Sequence, residues 1–263
     1  MTKRRYLPRI ATLVTIIVLL ALPASAAASH SWGPPYHWAR TTNPFTLKLG
    51  DNVSGLWDGF LATASSDWSA SSVLDTTVVP GGTRPKVCRP TAGRVEVCSA
   101  RYGNTGWLGL AQIWITGGEH IVQGIVKNND YYFGSSSYTY NNQAEMLHVM
   151  CQEVGHTFGL DHQSESGESL NTCMDYYHNT SNTDTLSTHP NAHDYEQLET
   201  IYAHLDSTTT VSSLPAGMQN GDFSSPSSWG MLVSSSRNGR ESVYERDFGQ
   251  GFKLITHVIW AVE

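Results

Sequence analysis

Between His148 and His162 the chain reads HVMCQEVGHTFGLDH, and this stretch constrains the fold more than any other. Gln152 and His156 are four residues apart, so on a helix their side chains share one face, one turn apart. Gly159 follows three residues after His156. Glycine takes positive φ without steric penalty, so the helix can stop there and the chain can turn back. Three residues later His162 returns towards the face that carries Gln152 and His156. Three donor side chains then converge on one point, with Glu153 beside them. The spacing predicts a helix over 143–158, begun by Asn141 or Asn142, whose side-chain oxygens can accept from the first free amides.

Gln152, His156 and His162 around one point, with a fourth position open to water, form a ligand set for zinc. Zinc brings the pKa of its bound water to about 7, and a carboxylate at Glu153 is placed to take that proton as general base. His148 lies about 12 Å along the helix from His156, too far to share the ion, and reads as a hydrogen-bonded core or cleft residue. The remaining histidines, at 30, 37, 120, 178, 189, 193, 204 and 257, have no ligand spacing to this stretch and read as surface residues.

The start of the chain reads as an address. Lys3, Arg4, Arg5 and Arg9 precede an apolar run from Ile10 to Leu22, and Ala24-Ser25-Ala26 forms a cleavage site, with Ala27 and Ala28 as rival points. A membrane-spanning helix needs roughly 20 apolar residues, so a signal peptide over 1–26 and secretion are expected. Its removal takes away cations alone and leaves the mature chain more acidic than the −7 of the whole. Nucleic-acid binding rests on clustered Lys and Arg, so a nucleic-acid partner is excluded, as is an anionic membrane. The four cysteines, at 88, 98, 151 and 173, suggest two disulfides in an exported chain. Three pairings are possible, and the local one, Cys88–Cys98 with Cys151–Cys173, is the expectation.

Periodicity places the other elements. After an irregular lead-in over 27–42, strands are expected at 45–49, 73–79, 94–98, 108–115 and from 120 to 126 or beyond. A helix at 57–70 carries an apolar face of Leu56, Trp57, Phe60, Leu61, Ala64 and Trp68. A polar loop over 163–190 leads to a helix at 192–205. The stretch 207–218 reads as a linker, and 242–248 with 252–260 reads as a hairpin that either stands apart or docks on the main body.

Gln152-Glu153-x-x-His156-x-x-Gly159-x-x-His162, followed by Cys173-Met174-Asp175-Tyr176, resembles the metzincin signature HExxHxxGxxH with its methionine turn. The departure is Gln152 in place of the first histidine. There the chain is similar to the gametolysin-like peptidases of algal cell walls, which carry QExxHxxGxxH. The resemblance spans residues 43–206. It implies an α+β catalytic domain with a twisted mixed sheet, an active-site helix, a methionine turn and a C-terminal helix, followed by a small β-hairpin extension over 219–263. It implies a secreted zinc-dependent endopeptidase, monomeric, that acts on protein or peptide and leaves the membrane once its signal peptide is removed. Met174 would be the hydrophobic floor beneath the ligands. Tyr176 would approach the metal and steady the oxyanion, or else line the specificity pocket. A Cys151–Cys173 bond would tie the helix to the methionine turn. The rival reading is an inactive metzincin fold serving as an extracellular binding module. The retained Glu153, His156, Gly159, His162 and Met174 speak against it. A further reading replaces zinc by a metal such as copper, because glutamine makes the ligand set less zinc-selective.

Overall fold

The computed structural model describes Met1 and residues 30–32, 35–209 and 214–261. The signal-peptide reading of 1–26 lies, Met1 apart, outside these residues. The elements in chain order are β1 (His37–Trp38), β2 (Phe45–Asn52), α1 (Asp58–Trp68), β3 (Leu74–Pro80), β4 (Val95–Ala100), β5 (Trp107–Thr116) and β6 (His120–Asn129). There follow α2 (Asp130–Phe133), α3 (Gln143–His156), α4 (Ala192–Ile201), α5 (Ala216–Gln219), β7 (Met231–Ser235), β8 (Glu241–Asp247) and β9 (Lys253–Trp260).

The fold is α+β, a mixed sheet with few helices. Its strand order is β3-β2-β4-β6-β5-β9-β8-β7. β2, β3, β4 and β6 run parallel, and α1 provides the crossover from β2 to β3. β5 is antiparallel to β6 on one side and to β9 on the other. The hairpin beyond the linker therefore docks on the main body: β9 continues the sheet from β5, and β8 and β7 extend it further.

Sequence periodicity is visible in the packing. On α1, Leu61, Ala64 and Trp68 are buried while Leu56, just ahead of it, is exposed and lies off the expected apolar face. Trp68 Nε1 donates to the Cys151 carbonyl at 3.1 Å, which pins α1 across α3. Deleting a fully buried aromatic of this kind costs about 3–5 kcal/mol. All ten residues of β5 are buried, because α3 covers one face and residues 214–223 cover part of the other.

Four expectations change. The lead-in is not wholly irregular, since β1 pairs with the start of β6 and a bridge joins Ser31 to Leu160. The linker is only partly one: Leu214 and Met218 are buried against Trp114, Val122 and Leu254, and α5 begins at Ala216. The last helix of the body stops at Ile201, so Leu205 falls beyond it and is exposed. Its start follows the sequence, with Asn191 and Asp194 forming a reciprocal capping box. β7 forms where no strand is expected, with Met231, Leu232 and Val233 exposed along the sheet's end.

Candidate metal centre

α3 begins where the Asn142 side chain accepts from the Glu145 amide at 2.9 Å, and it ends at His156. Gly159 then has φ 96°, and a β-carbon there would fall 1.9 Å from the Tyr36 carbonyl oxygen. Only glycine makes this turn. It delivers His162 beside His156, with ring centroids 4.6 Å apart.

Each side chain singled out from the sequence has a definite place. Gln152 Nε2 donates to the Asp175 carbonyl at 2.8 Å, and its Oε1 is buried without a hydrogen-bond partner among the described residues. His156 Nδ1 lies 2.8 Å from the Leu160 carbonyl, so Nδ1 carries the proton and Nε2 keeps its lone pair, buried and unpartnered. Asp161 accepts from the His162 amide at 2.9 Å and lies 3.2 Å from His162 Nδ1. Glu153 Oε1 is likewise buried and unpartnered. Met174 is fully buried beneath α3, where a β-carbon at Gly155 would lie 2.7 Å from its Sδ. Tyr176 sets its ring edge-on to His162 at 4.3 Å. Cys151 is bonded to Cys173, joining α3 to the Met174 segment, and Cys88 is bonded to Cys98. His148 is hydrogen-bonded to Asn179 and the Asp175 carbonyl, a core role.

Two residues of the site escape the sequence reading. His257, expected at the surface, is fully buried on β9. Its ring lies 3.7 Å from that of His156 and 4.3 Å from that of His162. Glu241, at the start of β8, has Oε2 2.5 Å from His162 Nε2 and 3.2 Å from His257 Nε2. Strand alternation carries a partial signal, for Ile255 and Ile259 join the core cluster beneath α3 while Leu254 and Val258 lie on the opposite face. His257 shares the parity of the first pair. The pairing that brings it a hundred residues back along the chain is not local information.

The electrostatics are those of a buried cluster whose carboxylates are balanced by histidine alone among the described residues. Burial, then Glu241, pushes the Glu153 carboxyl well up. Burial, then His162, pushes His156 well down, and burial with His156 does the same to His257. Burial alone would lower His162, but Glu241 and Asp161 lift it to about 9. His156, His162 and His257 can each offer one nitrogen, and those atoms lie within 4.8 Å of one another. Three imidazoles, two carboxylates and unpartnered donor atoms fit a divalent cation, which would neutralise both acids at once.

No protein-family model matches the chain, and no curated protein matches it. Among solved structures, one described as "Structure of myroilysin" aligns at 11% identity and a TM-score of 0.35, over 63% of this chain and 96% of that one. A likeness at that score carries no argument about fold or chemistry.

Proposed function

We propose that the chain is a secreted metalloendopeptidase of the metzincin type, with zinc held by Gln152, His156 and His162. One observation carries this reading: Gln152 Oε1, His156 Nε2 and Glu153 Oε1 are buried donor atoms with no hydrogen-bond partner among the described residues. They stand on the motif that the resemblance singles out. An unpartnered buried polar atom costs about 1–3 kcal/mol, so several together call for a ligand. The two disulfides suit an extracellular protein.

Zinc bound there would acidify its water and polarise the scissile carbonyl. With the cation there to favour its ionised form, Glu153 would be the base beside that water and the acid for the leaving amine. His156 is fixed in the ligand tautomer by the Leu160 carbonyl. Gln152 is aimed by its bond to the Asp175 carbonyl. Met174 supplies an apolar floor under both. Burial first, then Glu241 and Glu165, hold the Tyr176 phenol protonated; its hydroxyl bonds Glu165 and would have to turn from it to donate to the oxygen that gains charge.

The test is a mixed peptide library read by mass spectrometry. The oxidised, zinc-loaded chain is used as isolated and after limited proteolysis, beside Glu153→Ala treated identically. Cleavage by the proteolysed parent, lowered at least about 100-fold by Glu153→Ala, is the expected result. Equal cleavage by both, or none by either after proteolysis with zinc bound, would overturn the reading in favour of a binding module.

A further inference from the structure

The geometry points to His257 as a further ligand of this metal, supplied by the C-terminal strand, so that the full chain holds the ion in a closed site with β9 lying where a strand-paired substrate would go. The inference rests on the metal site proposed above and adds what occupies its open side.

Three observations carry it. The first is position. His257 Nε2 lies 3.2 Å from Glu241 Oε2, within reach to donate to it. In that tautomer the lone pair is on Nδ1, on the side of Glu153 Oε2 at 3.5 Å. A carboxylate that orients a histidine through its other nitrogen is the usual support of a metal-bound imidazole. The place beside Glu153 is also where a general base needs its water. His257 therefore stands in the water's position.

The second observation is closure. Gln152, Glu153, His156 and His257 are all 0% exposed. Structural zinc sites have four protein donors, and catalytic ones keep a position open. Gln152, His156, His162 and His257 make four.

The third is the sheet. Gly109 of β5 lies against the site, where a β-carbon would be 3.0 Å from Glu153 Oε1. A peptide that adds a strand to a free edge binds through main-chain hydrogen bonds, and the edge of β5 beyond β6 is the one that passes the site. β9 fills it from Trp107 to Ile115, pairing Ala111 with His257. Arg240, at the entry to β8, seals the arrangement by donating to the buried Glu145 of α3 at 2.6 Å.

The experiment replaces zinc by cobalt(II), whose visible absorption reports coordination, in the full oxidised chain and in His257→Ala. Parent cobalt absorption should be indifferent to added azide, because no position is open. His257→Ala should bind cobalt more than about 100-fold more weakly, beyond the loss that outer partners cause, and its absorption should shift on adding azide. Zinc-edge X-ray absorption on the parent needs no variant and should show three imidazoles around the ion. Azide uptake by the parent, unchanged affinity in His257→Ala, or only two imidazoles would overturn the inference and leave the peptidase reading standing. A parent that binds neither metal would instead refute the metal site itself.

Discussion

Among the described residues, two groups of three histidines gather around carboxylates, and they differ in what balances the charge. His37, His120 and His204 surround Asp206, with His120 Nε2 at 3.1 Å and His37 Nε2 at 3.5 Å from its Oδ1. Arg40, only 1% exposed, donates to the other oxygen at 2.9 Å. His37 Nδ1 is already engaged by the Pro35 carbonyl. Every charge there has a fixed partner. Around Glu153 and Glu241 the partners are His162 and His257, and the lone pair of His156 is unspent. Both groups hold three potential donors close enough for an ion. Proximity alone therefore does not mark a metal site. Among the described residues, buried carboxylates paired with histidine and not with Arg or Lys, beside donor atoms with nothing to bond, separate the second group from the first.

The largest effect that would break this comparison is thermal. Zinc at about 1,000 times its Kd stabilises the folded state by about 4 kcal/mol, roughly 10 °C in a domain of this size. Calorimetry of the chelated and zinc-loaded full chain should show that rise. It should vanish in the double variant His156→Ala, His162→Ala and persist in His204→Ala. A response that instead disappears in His204→Ala would reverse the roles of the two groups.

A smaller effect concerns Arg40. Asp206→Asn leaves a buried guanidinium without its anion, a loss of about 3 kcal/mol in urea unfolding, with zinc affinity unchanged. The pH dependence sharpens this. Partial burial opposes ionisation of Asp206, but hydrogen bonds from the Arg40 amide, His120 and His37 hold its carboxyl at about 2. A carboxylate lowered on folding stabilises above its unfolded pKa of about 3.9 and loses that contribution as pH falls through the folded value. The stability gap between parent and Asp206→Asn should be full above pH about 4 and gone once the pH is well below about 2. A gap that stays constant across this range would mean the pair does not act through charge.

What the sequence tells and what it hides divide along the same line. α3, its Asn142 cap, the Gly159 turn and the return of His162 are local, and residue spacing is enough to draw them. So are β2 to β6 and α1, whose periodicities are strong. The paired cysteines are local as well, at separations of 10 and 22 residues. His257 and Glu241 reach the site only because β9 pairs with β5, a contact between residues some 145 positions apart (Ala111 with His257). Register of that kind depends on which edge a strand meets, and the alternation of Leu254 to Trp260 gives a strand without giving its neighbour. Leu214 and Met218 read as linker for the same reason, since the surface that buries them is made by β5, β6 and β9.

The most direct measurement is the zinc stoichiometry of the oxidised full chain at equilibrium, beside the His156→Ala, His162→Ala double variant. The account predicts one tightly held equivalent in the parent and none in the variant. An equivalent that survives in the variant, or a parent that holds no zinc, would contradict it.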